Sequence, residues 1–101
     1  METAVKYFKS KKITLMGLGL LGRGVNVALF LARRGAHLTI TDLKTEEQLA
    51  KSLKRLKKFK NIKYVLGRHD LADFKNADMV IKAAGVPLDS MFIAEAVKNK
   101  I

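Results

Sequence analysis

Cysteine is absent from the 101-residue chain, so the protein has no disulfide bond, no thiolate zinc site and no thiol nucleophile. Long hydrophobic runs are absent too. The longest apolar stretches, Leu15–Leu21 and Val25–Ala32, are interrupted by glycine or asparagine and are shorter than the roughly 18 residues that a membrane span needs. No signal-like apolar segment with a cleavage site follows the lysine-rich segment Met1–Lys12. The sequence therefore predicts a cytoplasmic protein without a membrane partner.

Two further absences limit the chemistry of the chain. The sequence G-x-x-x-x-G-K-[ST] does not occur, so the chain carries no nucleotide-triphosphate loop of that kind. The two histidines, His37 and His69, have no partner at a metal-ligand spacing, which predicts neither a metal site nor a catalytic histidine. We therefore expect a chain that binds a ligand and does not catalyse a reaction by itself.

Acidic residues are few compared with basic ones. Twenty lysines and arginines against nine aspartates and glutamates give a net charge of +11, which attracts anionic ligands. Seven of the basic residues lie within 51–63, where Leu53 and Leu56 have helical spacing. This pattern indicates the solvated face of an amphipathic helix. A nucleic-acid surface is the alternative, but the nearby aromatic residues Phe59 and Tyr64 are expected to face the core, where they cannot stack on bases.

Strand-like and helix-like segments alternate along the first half of the chain. Ile13–Met16 is a short apolar run typical of a buried parallel strand, and the apolar positions within 21–32 have helical spacing that ends at Gly35. His37–Thr41 is a second, β-branched run. Residues 45–48, T-E-E-Q, form a capping box, which predicts that a second helix begins there.

The second half continues the alternation. Ile62–Leu66 and Met79–Lys82 are predicted strands, an acidic turn at 70–73 separates them, and Asp89 or Ser90 can cap a final helix. Strands that alternate with helices pair in parallel through right-handed crossovers. The sequence therefore predicts an α/β fold with a Rossmann-like parallel sheet of order 3-2-1-4, flanked by helices.

With 49% hydrophobic residues, a chain of this length can form one hydrophobic core, so we expect a single domain over residues 1–101. The ligand crevice of such a sheet lies at the carboxyl ends of the strands, near the switch point between the first and fourth strands. The alternation would require another strand after the final helix, and the sequence ends before one. We therefore expect the chain to be the N-terminal part of a longer, multidomain protein.

The turn after the first strand reads G-L-G-L-L-G. Its glycines Gly17, Gly19 and Gly22 fit the pattern G-x-G-x-x-G, between a strand and a helix as a phosphate-binding turn requires. Gly17 permits the tight turn, Gly19 lets the backbone approach a phosphate, and Gly22 lets the helix pack closely on the strand. Free N–H groups near Leu20 and Leu21 then point at an anion. A plain strand-to-helix turn is the alternative.

Residues after the second and fourth strands complete the predicted crevice. Asp42 lies 20 residues beyond Gly22, at a position where a carboxylate accepts hydrogen bonds from a nucleoside, although it could also serve only as a turn residue. Lys44 could donate to a nucleobase or a phosphate, or it could be solvated. The turn Gly85–Pro87 is expected to face the glycine turn across the crevice, unless it is a simple strand exit.

Three segments, KKITLMGLGLLGRG, LTITDLK and NADMVIKAAGVP, together resemble the N-terminal domain of the Mur ligases, above all the members that add D-glutamate in peptidoglycan synthesis. The likeness covers nearly all of the chain from Lys12 onward. It implies a parent enzyme of three domains with roles in cell-wall biogenesis, cell shape and cell division. The N-terminal domain would hold the UDP part of UDP-N-acetylmuramoyl-L-alanine, a central domain would bind ATP and magnesium, and a third would help to bind the amino acid.

The resemblance also implies the binding residues. Backbone N–H groups of the glycine turn would hold the diphosphate, the residues after the second strand would accept from and border the uracil ring, and the turn after the fourth strand would line the opposite wall. The residues concerned are Gly19, Leu20, Leu21, Gly22, Asp42, Leu43, Lys44 and Gly85. Leu21, Lys44 and Ala83–Ala84 stand where the family often has Thr, Arg and Ser-Pro, which affects side-chain contacts more than backbone contacts.

For the parent enzyme, the resemblance implies that ATP activates the substrate carboxylate as an acyl phosphate, which the amine of D-glutamate then attacks. None of those catalytic groups is expected in this chain, which by itself would need no cofactor. The alternative is an NAD(P)-binding domain of an oxidoreductase or a regulatory protein, because the glycine turn and Asp42 fit both classes and their spacing does not separate them.

Overall fold

The computed structural model describes residues 8–18, 23–82, 94–95 and 97. Its elements in chain order are β1 (Lys12–Met16), α1 (Arg23–Arg33), β2 (His37–Asp42), α2 (Ala50–Leu56), β3 (Ile62–Leu66), α3 (Leu71–Lys75) and β4 (Met79–Lys82). These four strands pair in parallel in the order β3-β2-β1-β4, so the predicted α/β fold and its sheet order are confirmed. Asp89 and Ser90, the predicted caps of the final helix, lie outside the described residues.

The two faces of the sheet are covered differently because successive side chains of a strand point to opposite faces. Ile13 of β1 lies beside Leu38 of β2 on the face that α1 and α2 cover. The helices and their flanking loops contribute the buried residues Leu18, Val25, Ala28, Leu29, Leu31, Ala36, Leu49 and Leu56 to this core. On the other face, Thr14 Oγ1 donates to the carbonyl oxygen of Asp73 at 2.6 Å, so α3 lies there. This arrangement is the doubly wound one that leaves a crevice at the strand ends.

The end of α1 follows from three residues of the sequence. Gly35 has a φ of +79°, the left-handed conformation in which helices commonly end. Arg34 Nη1 donates to the carbonyl oxygen of Phe30 at 2.9 Å, and the guanidinium lies 3.6 Å from the centroid of the Phe30 ring. The cation therefore satisfies one of the last helical carbonyls, where it also interacts favourably with the helix dipole.

The second helix begins later than the capping box predicts. The box itself forms, because the Thr45 N–H donates to Gln48 Oε1 at 2.9 Å and the Gln48 N–H donates to Thr45 Oγ1 at 3.3 Å. The capping box closes a separate turn that precedes the regular helix, which begins at Ala50. The N–H of Ala50 bonds to the carbonyl of Glu47, three residues earlier, so the i−4 ladder is interrupted before α2 begins.

The apolar residues of α2 and of the segment that follows it are covered by the core to different degrees. Leu56 is buried, and Leu53 and Phe59 pack against the core as predicted. Tyr64 lies opposite the core residue Ile40 and so faces the core as expected, but 37% of it remains exposed. β3 is an edge strand of the described sheet, so no neighbouring strand covers one flank of Tyr64. The burial that remains raises the pKa of its hydroxyl above the ordinary value.

Candidate functional site

The candidate site lies where β1 and β2 end. Gly17 directly follows β1 and has a φ of +95°, a conformation that residues with a Cβ rarely adopt. Its N–H donates to the carbonyl oxygen of Thr41 at 2.8 Å, so the chain is still held to β2 as it turns. The sharp turn that the sequence predicts at Gly17 is therefore present, and it directs the chain into the glycine-rich segment.

The start of α1 packs directly on the backbone of this turn. A Cβ on Gly24 would clash with the carbonyl oxygen of Leu18 and lie 2.7 Å from its Cα, closer than real contacts allow. The close approach of helix and strand, assigned from the motif to Gly22, is thus made at Gly24 among the described residues. Gly24 lies outside the G-x-G-x-x-G pattern, and only its proximity along the chain could have drawn attention to it.

The carboxylate of Asp42 holds two backbone segments of the site. Its Oδ2 accepts from the Leu18 N–H at 2.9 Å, and its Oδ1 accepts from the Lys44 N–H at 2.9 Å. Asp42 is 6% exposed, so these hydrogen bonds lie in a buried setting, where they are strong. The side chain thus joins the beginning of the glycine turn to the loop after β2. Asp42 is therefore a structural residue, whatever it does for a ligand.

The loops after β2 and β3 are joined along the same edge. The Gly67 N–H donates to the carbonyl oxygens of Asp42 at 2.8 Å and of Lys44 at 2.9 Å. Asp42 and Arg68 form an isolated antiparallel bridge, and Thr41 Oγ1 donates to the carbonyl oxygen of Arg68 at 3.1 Å. Arg68 and the residues around it therefore belong to the same structural unit as Asp42, although the chain places them 26 residues apart.

His69 also contacts Thr41, at the junction between β2 and the loop after β3. Its Nδ1 lies 2.6 Å from Thr41 Oγ1, and because the single Thr41 proton is donated to a carbonyl, Nδ1 is the donor. Its ring meets the buried Phe74 ring edge-to-face, with centroids 6.1 Å apart. Burial lowers the pKa of His69 below its ordinary value, while the charge of Asp42 opposes this shift. A neutral imidazole that donates from Nδ1 fits this setting.

Comparison with known proteins decides between the two classes that the motif leaves open. Residues 11–101 match the family described as "Mur ligase MurD-like, N-terminal domain". The chain belongs to this family. The sharp turn at Gly17, the acid at the end of β2 and the sheet order are thus those of a MurD-like N-terminal domain, as the sequence segments predict.

Three relatives of this MurD-like domain share the name "UDP-N-acetylmuramoylalanine--D-glutamate ligase". One from Borreliella burgdorferi (strain ZS7) is 50% identical over 86 residues, which are 84% of this chain and 19% of the relative. Those from Treponema pallidum (strain Nichols) and Geobacter metallireducens are 48% and 46% identical, each over 81% of this chain and 15% and 18% of their own lengths. The chain thus spans about a fifth or less of these relatives.

The structure brings together part of the predicted set of site residues. Asp42, Leu43 and Lys44 lie together at the end of β2, where Leu43 is 67% exposed. The other predicted residues, Gly19, Leu20, Leu21, Gly22 and Gly85, lie outside the described residues. Lys44, Arg68 and Lys82 follow or end β2, β3 and β4, so this edge of the MurD-like domain carries cations suited to an anionic ligand.

Two clefts are found among the described residues, one at the opposite edge of the sheet and one beside β3. One, of about 630 Å³, is lined by residues at the amino ends of the strands, including Lys12, His37 and Ile62, whereas open parallel sheets bind ligands at the carboxyl ends. The other, of about 510 Å³, lies between α2 and the edge strand β3. Within the described ranges, no three His, Asp or Glu side chains are grouped to hold a metal ion, and no helix could cross a membrane.

Proposed function

We propose that this MurD-like domain holds the UDP end of UDP-N-acetylmuramoyl-L-alanine in a cytoplasmic ligase that uses ATP to add D-glutamate during peptidoglycan synthesis. The names of the relatives support the reaction, and the family supports the place of the domain within the enzyme. The single observation that carries the binding role is the carboxylate of Asp42, held 2.9 Å from the amide of Leu18 at the entrance of the glycine turn.

The chemistry of this entrance suits a nucleoside diphosphate. The N–H groups of the glycine turn at the head of α1 supply donors for the diphosphate, through the backbone of Gly19, Leu20, Leu21 and Gly22. An ionised carboxylate can accept about four hydrogen bonds, and Leu18 and Lys44 use at least two of those of Asp42. We propose that the uracil N–H is a further donor to Asp42. Leu43 and Lys44 would then border the base, and Gly85 would line the opposite wall.

The proposed role of this domain in the reaction is to position the substrate. The bond formed is an amide between the lactoyl-alanine carboxyl group and D-glutamate, far along the substrate from the uracil. Binding energy gained at the nucleotide end can hold the reacting carboxylate in place in another domain, which lowers the entropic part of the barrier there. ATP and magnesium would be bound by the central domain of the parent chain, with which this domain would share the substrate.

The experiment is a titration of the ¹⁵N-labelled 101-residue chain, followed by amide chemical shifts, with UDP and NADH in parallel. Shift changes at Gly17, Leu18 and Lys44 that saturate with UDP are expected. Asp42→Asn should weaken UDP affinity about ten- to hundredfold, since a hydrogen bond to a charged group contributes about 1.5–3 kcal/mol. Chemical shifts follow even millimolar binding, which is the range expected of a domain that normally shares its ligand with two others.

Because Asp42 is also structural, the titration needs a control for lost stability. Ile40→Val removes one buried methylene-sized group from the same strand, costs about 0.5–1.5 kcal/mol, and leaves the carboxylate of Asp42 in place. It should leave UDP affinity unchanged once both variants are compared at temperatures where each is folded. Tighter binding of NADH than of UDP, or equal affinity in wild type and Asp42→Asn, would overturn the proposed function.

A further inference from the structure

Arg68 is the residue at this edge that the described structure leaves without a role. It is exposed, and its backbone alone is engaged, through the bridge to Asp42 and the hydrogen bond from Thr41 Oγ1. Within the described ranges, its guanidinium makes no hydrogen bond or ion pair. A side chain with five N–H donors and a flat, delocalised face is thus free at a fixed backbone position.

The backbone that carries Arg68 is held firmly. Four hydrogen bonds join the loops after β2 and β3, two from the Gly67 N–H and two around Thr41 Oγ1. Gly67 itself has a φ of +77°, which lets the chain leave β3 and return alongside β2. The base of the Arg68 side chain therefore does not need to be ordered when a ligand binds, and only the side chain loses freedom.

The bridge also places Arg68 beside Asp42. Residues directly opposite each other in an antiparallel pair have their Cβ atoms about 5 Å apart on the same face. Arg68 is therefore the residue opposite Asp42, whose carboxylate accepts from the Leu18 amide at the start of the glycine turn. Its long side chain can reach over the space in front of Asp42.

The order of the strands indicates which end of a bound nucleotide would lie near Arg68. The glycine turn follows β1, Asp42 ends β2, and Arg68 follows β3, so the three lie in sequence along the edge of the sheet in the order β1, β2, β3. A ligand whose diphosphate lies at the glycine turn and whose nucleoside lies at Asp42 presents its base, not its phosphates, to Arg68.

We propose that the guanidinium of Arg68 binds the base of the nucleotide, lying flat against the ring or donating to a ring carbonyl, and so contributes to base recognition. This inference rests on the proposed function, because it needs a nucleotide in this orientation. A guanidinium is suited to the role since it stacks on flat rings and is weakly hydrated, whereas a lysine ammonium is a compact, strongly hydrated charge.

The test measures dissociation constants of wild type, Arg68→Ala and Arg68→Lys for UDP and for uridine 5′-monophosphate by the same amide titration. Arg68→Ala should weaken both ligands by a similar factor, about fivefold or more. Arg68→Lys should recover little of the lost affinity, because a lysine restores the positive charge but not the planar guanidinium. Arg33→Ala is the matched control: Arg33 is an exposed arginine at the far end of α1, at the opposite edge of the sheet, and its removal should change neither affinity.

The outcomes separate the two proposals. If wild type binds UDP and Asp42→Asn weakens it, but Arg68→Ala does not, the role of Arg68 is wrong and the proposed function stands. A loss that is much larger for UDP than for the monophosphate, and that Arg68→Lys restores, would mean that Arg68 attracts phosphate charge and would overturn base recognition. No UDP binding by wild type would refute the proposed function itself.

Discussion

The contact between Gly24 and Leu18 makes the sharpest prediction about stability. In Gly24→Ala the new Cβ would clash with the Leu18 carbonyl oxygen and would lie 2.6 Å from its carbonyl carbon and 2.7 Å from its Cα. Ordinary van der Waals contact of a Cβ begins near 3.4 Å, so α1 or the backbone at Leu18 must move. The atoms in the way are backbone, which cannot turn aside as the end of a flexible side chain can.

Two opposing effects determine how far Gly24→Ala changes the free energy of unfolding. Alanine favours a helix over glycine by at most about 1 kcal/mol, and less in the first turn. Forcing an extra carbon into a packed contact costs about 1–3 kcal/mol. Moving Leu18 also weakens the hydrogen bond from its N–H to Asp42 Oδ2, which contributes about 1.5–3 kcal/mol because the acceptor is charged. The clash therefore outweighs helix propensity, and we expect the free energy of unfolding to fall by about 2–4 kcal/mol.

The assay is equilibrium urea unfolding of Gly24→Ala beside Gly35→Ala. The backbone at Gly35 has a φ of +79°, but a Cβ there would meet nothing closer than Lys9 Cγ at 3.5 Å. Gly35→Ala thus carries only the backbone cost of the left-handed conformation, about 1–2 kcal/mol. Gly24→Ala should be the more destabilised variant although its backbone is helical. If it is as stable as wild type, or more stable than Gly35→Ala, the close approach of α1 to Leu18 is refuted.

Two further predictions concern His69 and Thr45. Because burial lowers the pKa of His69 below 6.5, acid protonates the unfolded chain first, so its contribution to stability is complete above pH 6.5 and is lost as the pH falls. Urea unfolding at pH 7.5 and 5.5 should therefore show a smaller stability difference in His69→Gln than in wild type; equal differences in the two proteins would contradict the lowered pKa of His69. Thr45→Ala should lower the free energy of unfolding by about 0.5–1 kcal/mol because it removes the capping-box hydroxyl, and Thr45→Ser should retain most of that stability. The expectation fails if the Ser and Ala variants unfold at the same urea concentration.

The sheet could be predicted from the sequence because its signals are local. Each strand is a short apolar run, and parallel pairing with right-handed crossovers leaves few possible orders. The start of α2 was predicted too early because a capping box has the same sequence whether it opens a helix or closes an isolated turn. The partial exposure of Tyr64 could not be predicted because periodicity reports which face a residue occupies, and does not report that the strand lies at an edge.

The candidate site could be predicted only in part, for a different reason. The motif locates Asp42 by its distance along the chain from the glycines, which is enough to suggest a nucleoside acceptor. The hydrogen bonds of Asp42 to the amides of Leu18 and Lys44 depend on how closely two loops approach, and no spacing rule contains that distance. The same applies to Arg68, whose relation to Asp42 arises from a bridge between residues in different loops.

The backbone at Leu18 connects these features into a physical account of binding. Its carbonyl side packs against Gly24 of α1, and its N–H is fixed by Asp42 of β2, so the entrance of the glycine turn is held from both directions. Asp42 in turn is joined through Gly67 to the loop that carries Arg68. A nucleotide that bridges from the glycine turn to this loop would therefore meet groups whose backbone is already ordered. Less of its binding energy would be consumed in ordering the protein, and more would remain to position the rest of the substrate.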